Sequence, residues 1–583
     1  MQLDVNQTKA VQTTANQALV IAGPGAGKTR VIVERAAYLI EECKISPYEI
    51  FISTFTRRAA GEIRDRLVER VGYKAYHMSI GTFHATALHL LHRFGDLIGY
   101  HKNNSTVYGE FEEQFLLRDV ATEMAIYNGK SWKIPKKQVD AVFAKYYQEG
   151  IEPPDDDPLR PLFLAFVQRC RENNSYTYGN LLTGLMLLLP HCHQYLSWKH
   201  LIIDEGHDCD LLQFELIKTI QEYCKASLFI VADLDQTLYS WRGACPEYIM
   251  EHQKEFTTYI LENNYRSMPG IVEASNRLIE HNQDRITKTM RATREGGESR
   301  VIIQKNVDSQ FIVNLMSDPS LGSVPPYVDE PVAILARNHY LLEKIDRLME
   351  EADIPHEYVG RSTALMHSES FIKFHAFLKL TINPLDNFSF LLIKDVIGLT
   401  REEYAQIRIM AAKDGKSHFQ AWLGREIVPD QIVPWGFFSA NEFKIQINLL
   451  SQKYPGLSPE AMAFIGAWLK DRKENVSVAE YLSWLATYDI TDEIKEDQAG
   501  ITLLTIHAAK GLEWPVVIVA GANEGIIPSK QAINGDEIEA ERRLFYVAMT
   551  RAQDQLLLTC RPEVQERDGK IYENPISRFI GEI

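Results

Sequence analysis

Thirteen residues near the N-terminus, Ala18-Leu-Val-Ile-Ala-Gly-Pro-Gly-Ala-Gly-Lys-Thr-Arg30, constrain the fold more than any other part of the chain. Leu19 to Ala22 is an apolar run that reads as a buried strand. Gly23, Gly25 and Gly27 make a glycine-rich turn, and Lys28-Thr29 follows directly. Val31, Val33, Ala36, Ala37 and Ile40 then recur at helical spacing. Strand, glycine turn and helix form a phosphate cradle. Glycines let backbone N–H groups converge on phosphate oxygens, and the helix N-terminus adds positive potential. Lys28 is placed to reach the β- and γ-phosphates of a nucleotide, and Thr29 to hold Mg2+. The loop opens with Ala22 where glycine is usual, and an ordinary glycine turn before a helix is the competing explanation.

At 583 residues the chain is too long for one core, so several domains are expected. It is 45% hydrophobic and 24% charged, a globular balance. No apolar run approaches the roughly 20 residues of a membrane span. Met1-Gln-Leu-Asp-Val lacks the regions of a signal peptide. Seven cysteines are scattered without a Cys-x-x-Cys pair, which fits a reducing, cytoplasmic setting and disfavours a zinc ribbon. His191-Cys192-His193 is the one metal-like cluster, and because adjacent residues rarely share an ion, a helix end is the simpler reading. The formal net charge of −16 argues against non-specific adsorption to nucleic acid but leaves room for a groove with a local positive field.

Further along, Glu49 to Arg57 reads as a strand running into a helix from Arg58 to Leu67. Ser79 to His84 gives a short strand and turn, followed by an apolar helix through Leu91. The pattern then loosens into helical segments, broken at Pro153-Pro-Asp-Asp-Asp-Pro158. Lys199 to Glu205 and Ser227 to Asp233 restore buried strands that end in acids. A second unit begins near Met268, with strands at Val332 to Arg337, Ile501 to His507, Pro515 to Ala520 and Gln555 to Thr559. Between them lies a second helical stretch with loop signals at Pro429, Pro434, Pro455-Gly456 and Pro459. Strands alternating with helices predict an α/β fold with parallel sheets and active groups at the strands' C-terminal ends. The expected division is a first domain of residues 1–94 and 178–267 with 95–177 inserted, and a second of 268–384 and 499–583 with 385–498 inserted.

Two further constellations carry chemistry. In Ile202-Ile-Asp-Glu205 an acid pair ends a strand downstream of the phosphate loop, so Asp204 is placed to anchor Mg2+ and Glu205 to orient and deprotonate water. In Ala232-Asp-Leu-Asp-Gln-Thr-Leu-Tyr-Ser-Trp-Arg-Gly-Ala244, Gln236 is placed to sense a γ-phosphate. Tyr239 and Trp241 beside Arg242 suit stacking on single-stranded nucleic acid, although Trp241 as a core residue is the alternative.

Taken in order, these stretches resemble the superfamily 1 helicases of the UvrD/Rep/PcrA type. Gln7 matches the family's adenine-reading glutamine. Thr54-Phe-Thr-Arg-Arg-Ala-Ala60, Gly81-Thr-Phe-His84, Asn263-Asn-Tyr-Arg-Ser267, Thr505-Ile-His-Ala-Ala-Lys-Gly-Leu-Glu513 and Glu541-Arg-Arg-Leu-Phe-Tyr-Val-Ala-Met-Thr-Arg-Ala552 resemble later motifs. Ile576-Ser-Arg-Phe-Ile580 resembles the end of the second motor. The resemblance implies two RecA-like motor domains, each with a mostly helical insertion, and an ATP- and Mg2+-dependent DNA helicase moving 3′ to 5′. It implies that Gln7 and Arg30 contact adenine, Tyr265 stacks on it and Glu513 meets the ribose. Arg266 and Arg551 would be arginine fingers acting with Lys28, Glu205 and Gln236. Phe55, Thr82, His84, Tyr239, Trp241, Arg242, Thr505 and His507 would line a single-strand track. Single-stranded and tailed duplex DNA are the implied partners, with a protein partner at the second insertion and a monomer as the expected state. Repair, replication and recombination are the implied settings.

The chain also departs from the family. Asp204-Glu-Gly-His-Asp208 stands where Asp-Glu-Phe-Gln-Asp is usual, so His207 replaces a glutamine that couples nucleotide state to DNA. Arg57 stands where asparagine is usual, and Tyr176-Thr-Tyr-Gly-Asn-Leu-Leu182 replaces a more acidic stretch. The second insertion is shorter than in larger members. Two other classes remain open at this point: a translocase that strips proteins from DNA and needs a partner to unwind, and a DNA-binding subunit with an inactive motor.

Overall fold

In the computed structural model, residues 2–101, 105–283, 285–295, 300–317, 330–360, 366, 368–424, 440–453, 459–470, 476–488, 500–535, 537–561, 563–565, 571–573 and 575–583 are described. The strands of the first half are β1 (Gln17–Ala22), β2 (Ile50–Ser53), β3 (Ser79–Gly81), β4 (Thr106–Tyr108), β5 (Ser175–Thr177), β6 (His200–Ile203), β7 (Ser227–Ala232) and β8 (Thr257–Leu261). Six of them form a parallel sheet in the order β3-β2-β6-β7-β1-β8, while β4 and β5 pair separately. A parallel sheet is covered on both faces, so its strands must be apolar throughout. In β1, Leu19 and Ile21 enter one apolar layer and Ala18, Val20 and Ala22 the opposite one.

The second half adds β9 (Asn263–Asn264), β10 (Arg291–Ala292), β11 (Arg300–Gln304), β12 (Val332–Ala336), β13 (His356–Tyr358), β14 (Ile501–Thr505), β15 (Trp514–Ala520) and β16 (Ala552–Thr559). Its parallel sheet runs β11-β16-β15-β12-β14-β13. The same alternation recurs in β12, with Ala333 and Leu335 on one side and Val332, Ile334 and Ala336 on the other. The expected α/β fold with two parallel sheets is therefore present. Strand β2 stops at Ser53, earlier than the apolar pattern suggested, because Thr56 caps the helix Arg57–Val71 through the N–H of Ala59 at 3.2 Å.

Helices Glu110–Glu123, Lys136–Glu149 and Arg160–Glu172 pack around β4 and β5 in the first insertion. The second helical body starts before residue 385: helix Glu369–Ile382 buries Phe371, Phe374 and Phe377 in one cluster with Phe390, Phe443, Trp468 and Tyr481. Its apolar spacing resembles that of the motor helices, so sequence alone did not separate it from them. Pro429, Pro434, Pro455, Gly456 and the 498/499 boundary lie outside the described residues, whereas Pro459 opens the helix Pro459–Leu469. His191-Cys192-His193 is a helix end with Cys192 buried, and among the described residues no three or more His, Cys, Asp or Glu side chains are grouped to hold a metal. Among those residues no helix is long and apolar enough to cross a membrane.

Candidate active site

The phosphate loop joins β1 to the helix Lys28–Glu41. Gly25 and Gly27 turn it at φ 67° and 78°, left-handed values that disfavour a side chain. Lys28, at the first turn of the helix, reaches across to the end of β6. Its Nζ donates to Glu205 Oε1 at 2.8 Å and Oε2 at 2.6 Å. Glu205 itself sits at φ 51°, ψ 40°, a left-handed conformation that costs a non-glycine residue roughly 1–2 kcal/mol. Asp204 beside it accepts from Thr54 Oγ1 at 3.2 Å and from the Glu205 N–H at 3.0 Å. Burial, reinforced by the Glu205 charge, pushes the Asp204 carboxyl up to about 7 despite Lys28. Burial also opposes the charge on Glu205, but Lys28 and Lys510 overcome it and hold that carboxyl below its ordinary range. Asp204 is thus a buried hard-oxygen group at the end of β6, beside the glutamate that Lys28 reaches from the first turn of its helix, in which Thr29 follows. Oxygen ligands of this kind suit Mg2+.

The second sheet contributes cations to the same cleft. Arg551, fully buried, donates from Nη2 to Gln236 Oε1 at 2.7 Å. Burial and the neighbouring Arg266 push its guanidinium down to about 9, which leaves it cationic at neutral pH. Arg266 pairs with Glu513 and donates to Thr550 O at 3.0 Å. Lys510, not singled out in the sequence, donates to Gln236 O at 2.7 Å and pairs with Asp208. His207 is wholly buried: its Nδ1 accepts the Asp233 N–H at 3.0 Å, and its Nε2 lies 3.5 Å from Glu205 Oε2. Burial, then the charges of Lys510 and Lys28, drives its pKa well below the ordinary value, so it stands neutral.

The expected base-contacting residues lie together. Gln7 donates from Nε2 to Ala26 O at 3.0 Å, and its Oε1 accepts the Asp4 N–H at 3.1 Å in a reciprocal cap. Tyr265 is tied through its N–H to Gly25 O at 2.9 Å and through its hydroxyl to Asp4 Oδ2 at 2.8 Å. Arg30 lies close enough for its charge to act on the Tyr265 phenol. Gly23 faces Met290, whose Sδ would lie 2.1 Å from a Cβ built there.

A second group of expected residues forms an aromatic face spanning both domains. Phe55 stacks on Tyr239 with centroids 4.6 Å apart, and Tyr239 lies 6.4 Å from His507. Arg242 stands over Trp241 at 4.8 Å and Tyr239 at 5.6 Å. Trp241 is 67% exposed, which excludes the core alternative. His84 stacks on Tyr178 at 4.3 Å. Burial and nearby cations lower His84 and His507 to about 4, so both rings are neutral. Thr82 and Thr505 spend their hydroxyls on local turns, accepting from Ala85 N at 3.1 Å and Ala508 N at 3.3 Å. Tyr178 and Thr54 belong to this neighbourhood, yet the sequence reading gave neither a role. Their signal was only that each fell inside a motif-like stretch. Arg57 turns to the second insertion, donating to Trp484 O at 2.7 Å with its guanidinium 5.6 Å from the Trp484 ring.

Comparison with known proteins agrees with this geometry. Residues 3–257 match the UvrD/REP helicase N-terminal domain, and residues 259–414 and 470–562 match the UvrD-like helicase C-terminal domain. The ATP-dependent DNA helicase PcrA of Bacillus subtilis (strain 168) is 28% identical over 645 residues, covering 99% of this chain and 85% of that protein. The ATP-dependent DNA helicase Rep of Buchnera aphidicola subsp. Schizaphis graminum is 28% identical over 657 residues, covering 100% of this chain and 96% of that protein. With these two models together matching most of its length, the chain belongs to the UvrD/Rep helicase family.

Proposed function

We propose that this chain hydrolyses ATP to translocate 3′ to 5′ along single-stranded DNA and to separate strands, in repair, replication or recombination. The observation that carries the reading is the contact of Lys28 with Glu205 opposite Arg551 and Arg266 from the other domain. Lys28 is paired with the proposed base. The γ-phosphate offers Lys28 a stronger anion, and Glu205 is then free to take a proton from water. Gln236 and Arg551 face the same point, so charge developing on the transferring phosphoryl meets fixed cations from both motors. Thr29 and Asp204 would hold Mg2+, which neutralises phosphate oxygens when bound. Gln7, Arg30 and Tyr265 take the base, and Glu513 the ribose. Bases stack on Phe55, His84, Tyr239 and Trp241, with Arg242 near the backbone and Thr82, Thr505 and His507 shaping the track.

The Arg57–Trp484 contact favours a second reading, in which the second insertion is fastened to the DNA-facing segment and a protein partner must release it before unwinding. ATPase with and without single-stranded DNA, beside unwinding of duplexes with 3′ or 5′ tails, tests both. Stimulation with 3′-tail unwinding supports the first. Stimulation without unwinding, with unwinding gained in Arg57→Ala, supports the second. Absence of ATPase overturns both.

A further inference from the structure

One short segment bridges the two motors behind the phosphate site. Helix Pro269–Glu280 packs in the second domain's core beside helix Ile538–Met549, through Ile271, Ala274 and Leu278. Asn282 extends that attachment: Arg542 Nη1 donates to its Oδ1 at 2.6 Å, and its Nδ2 donates to Glu539 O at 3.1 Å. A few residues later the chain is embedded in the first domain. Lys288 has only 1% of its side chain exposed, and its ammonium pairs with Asp233 at 2.7 Å and with Asp235. Arg285 completes the cluster, forked on Asp235 at 3.0 and 2.7 Å. Asn276 then holds the Met290 backbone on both sides, at 2.8 and 3.2 Å, where Met290 packs on Gly23 of the phosphate loop.

This cluster determines how one amide faces. Gln236 donates from Nε2 to Asp233 Oδ2, and its Oε1 accepts from Arg551 Nη2 at 2.7 Å. A primary amide has a donor end and an acceptor end but no charge. A carboxylate on one side and a guanidinium on the other leave it a single orientation. Asp233 fixes its end most strongly when ionised, and complete burial opposes ionisation. Lys288 supplies the charge that offsets this. A buried pair that loses one partner leaves the other uncompensated.

We propose that Lys288 is a positioning residue for ATP hydrolysis: acting through Asp233, it fixes the Gln236 amide opposite Arg551, and it reaches there on a segment anchored to the second motor. The proposal rests on the reading of Gln236 as the γ-phosphate sensor. It explains why a buried ion cluster sits where an apolar plug would serve for packing alone.

Steady-state ATPase on the full chain with saturating single-stranded DNA tests it. Lys288→Met is expected to lower kcat about ten- to hundredfold while KM for ATP stays within about twofold. Adding Asp233→Asn removes the stranded carboxylate yet keeps an acceptor for Nε2, and is expected to recover about tenfold in kcat. Gln236→Ala is the control. If Gln236→Ala cripples turnover and Lys288→Met does not, the lysine is structural and the proposal is overturned. Wild-type turnover in Gln236→Ala removes the sensor reading itself, and the proposal with it. If Lys288→Met does not fold, Asp233→Ala alone is the variant to use, because it removes the acceptor for Gln236 Nε2 while Asp235 still pairs with Lys288. A kcat loss at unchanged KM then supports the proposal, and wild-type kcat overturns it.

Discussion

Two places in this molecule join segments hundreds of residues apart, and they do it differently. In the cleft between the two domains, Arg266 pairs with Glu513 at a rim that water still reaches, their side chains 14% and 45% exposed. On the function proposed above, Arg266 and Glu513 each have an alternative in a nucleotide, phosphate for the one and ribose for the other. Between the two insertions the contacts are buried hydrogen bonds and an ion pair. Asp386 accepts from Tyr108 Oη at 2.5 Å, Ser389 Oγ at 2.6 Å and two backbone N–H groups. Asn383 Nδ2 donates to Asn173 O at 2.7 Å and Asn174 O at 3.0 Å, Lys379 pairs with Glu112, and Phe388 enters the first insertion's core. Exchangeable pairs make a joint that a ligand can work, whereas buried hydrogen-bonded ones make a joint that holds.

The comparison breaks first at Lys28. Lys28→Ala is expected to cost about a thousandfold in ATPase, about 4 kcal/mol of transition-state stabilisation, while affinity for single-stranded DNA changes little. Turnover and DNA titration measured on one preparation check this, and normal turnover would remove the cleft from the chemistry. The insertion joint should show the reverse. Asp386→Ala strands Tyr108 and the helix N-terminus it caps, for about 2–3 kcal/mol of stability by denaturant unfolding, with ATPase unchanged within about twofold. Loss of turnover without loss of stability would mean that the joint also works with the motor.

The two places were not equally legible in the sequence. The phosphate loop, the acid pair at 204–205 and the Gln236–Arg242 stretch are contiguous, so spacing alone announces them. Arg266, Arg551 and Glu513 have no local signature of phosphate chemistry, and only the resemblance linked them to Lys28. Lys288, Arg285 and Lys510 stayed silent because their meaning comes from carboxylates on a different sheet. The insertion joint has no signal in the sequence, because its partners lie far apart along the chain. The expected boundary at 384/385 falls between Asn383 and Asp386, and helix Glu369–Ile382, on the near side of it, shares its aromatic cluster with Phe390 and Tyr481. Periodicity reports that a face is buried, not against what.

A pH titration sharpens the contrast. His375, buried in the second insertion, bonds Phe371 O at 2.7 Å and Tyr481 Oη at 2.8 Å. Burial lowers its pKa from 6.5 to about 3. The unfolded chain takes up a proton as pH falls below 6.5, and the folded chain does not until near 3. Stability from this site is therefore complete above 6.5 and is lost on acidification, at about 1.4 kcal/mol per unit, or about 2 kcal/mol between pH 6 and 4.5. Denaturant midpoints across that range should flatten in His375→Gln. An equally steep slope in the variant would assign the acid lability elsewhere.

The smallest effect belongs to the aromatic face, which combines both kinds of contact. Phe55 and Tyr239 already stack on each other, so a base entering there must displace a formed contact, as a phosphate must displace Glu205 from Lys28. Trp241 is different: it is exposed, with the Arg242 cation 4.8 Å from its ring. It gives up little protein packing to receive a base. Trp241→Ala should therefore leave folding and basal ATPase intact. It should raise the single-stranded DNA concentration for half-maximal ATPase stimulation about fivefold, about 1 kcal/mol, the low end for one stacked base. Phe55→Ala should cost less at the same readout, because the lost base contact is partly offset by the stack that no longer has to be broken. If Phe55→Ala proves the more damaging of the two, the Phe55–Tyr239 pair opens freely and that part of the face behaves like the exposed Trp241.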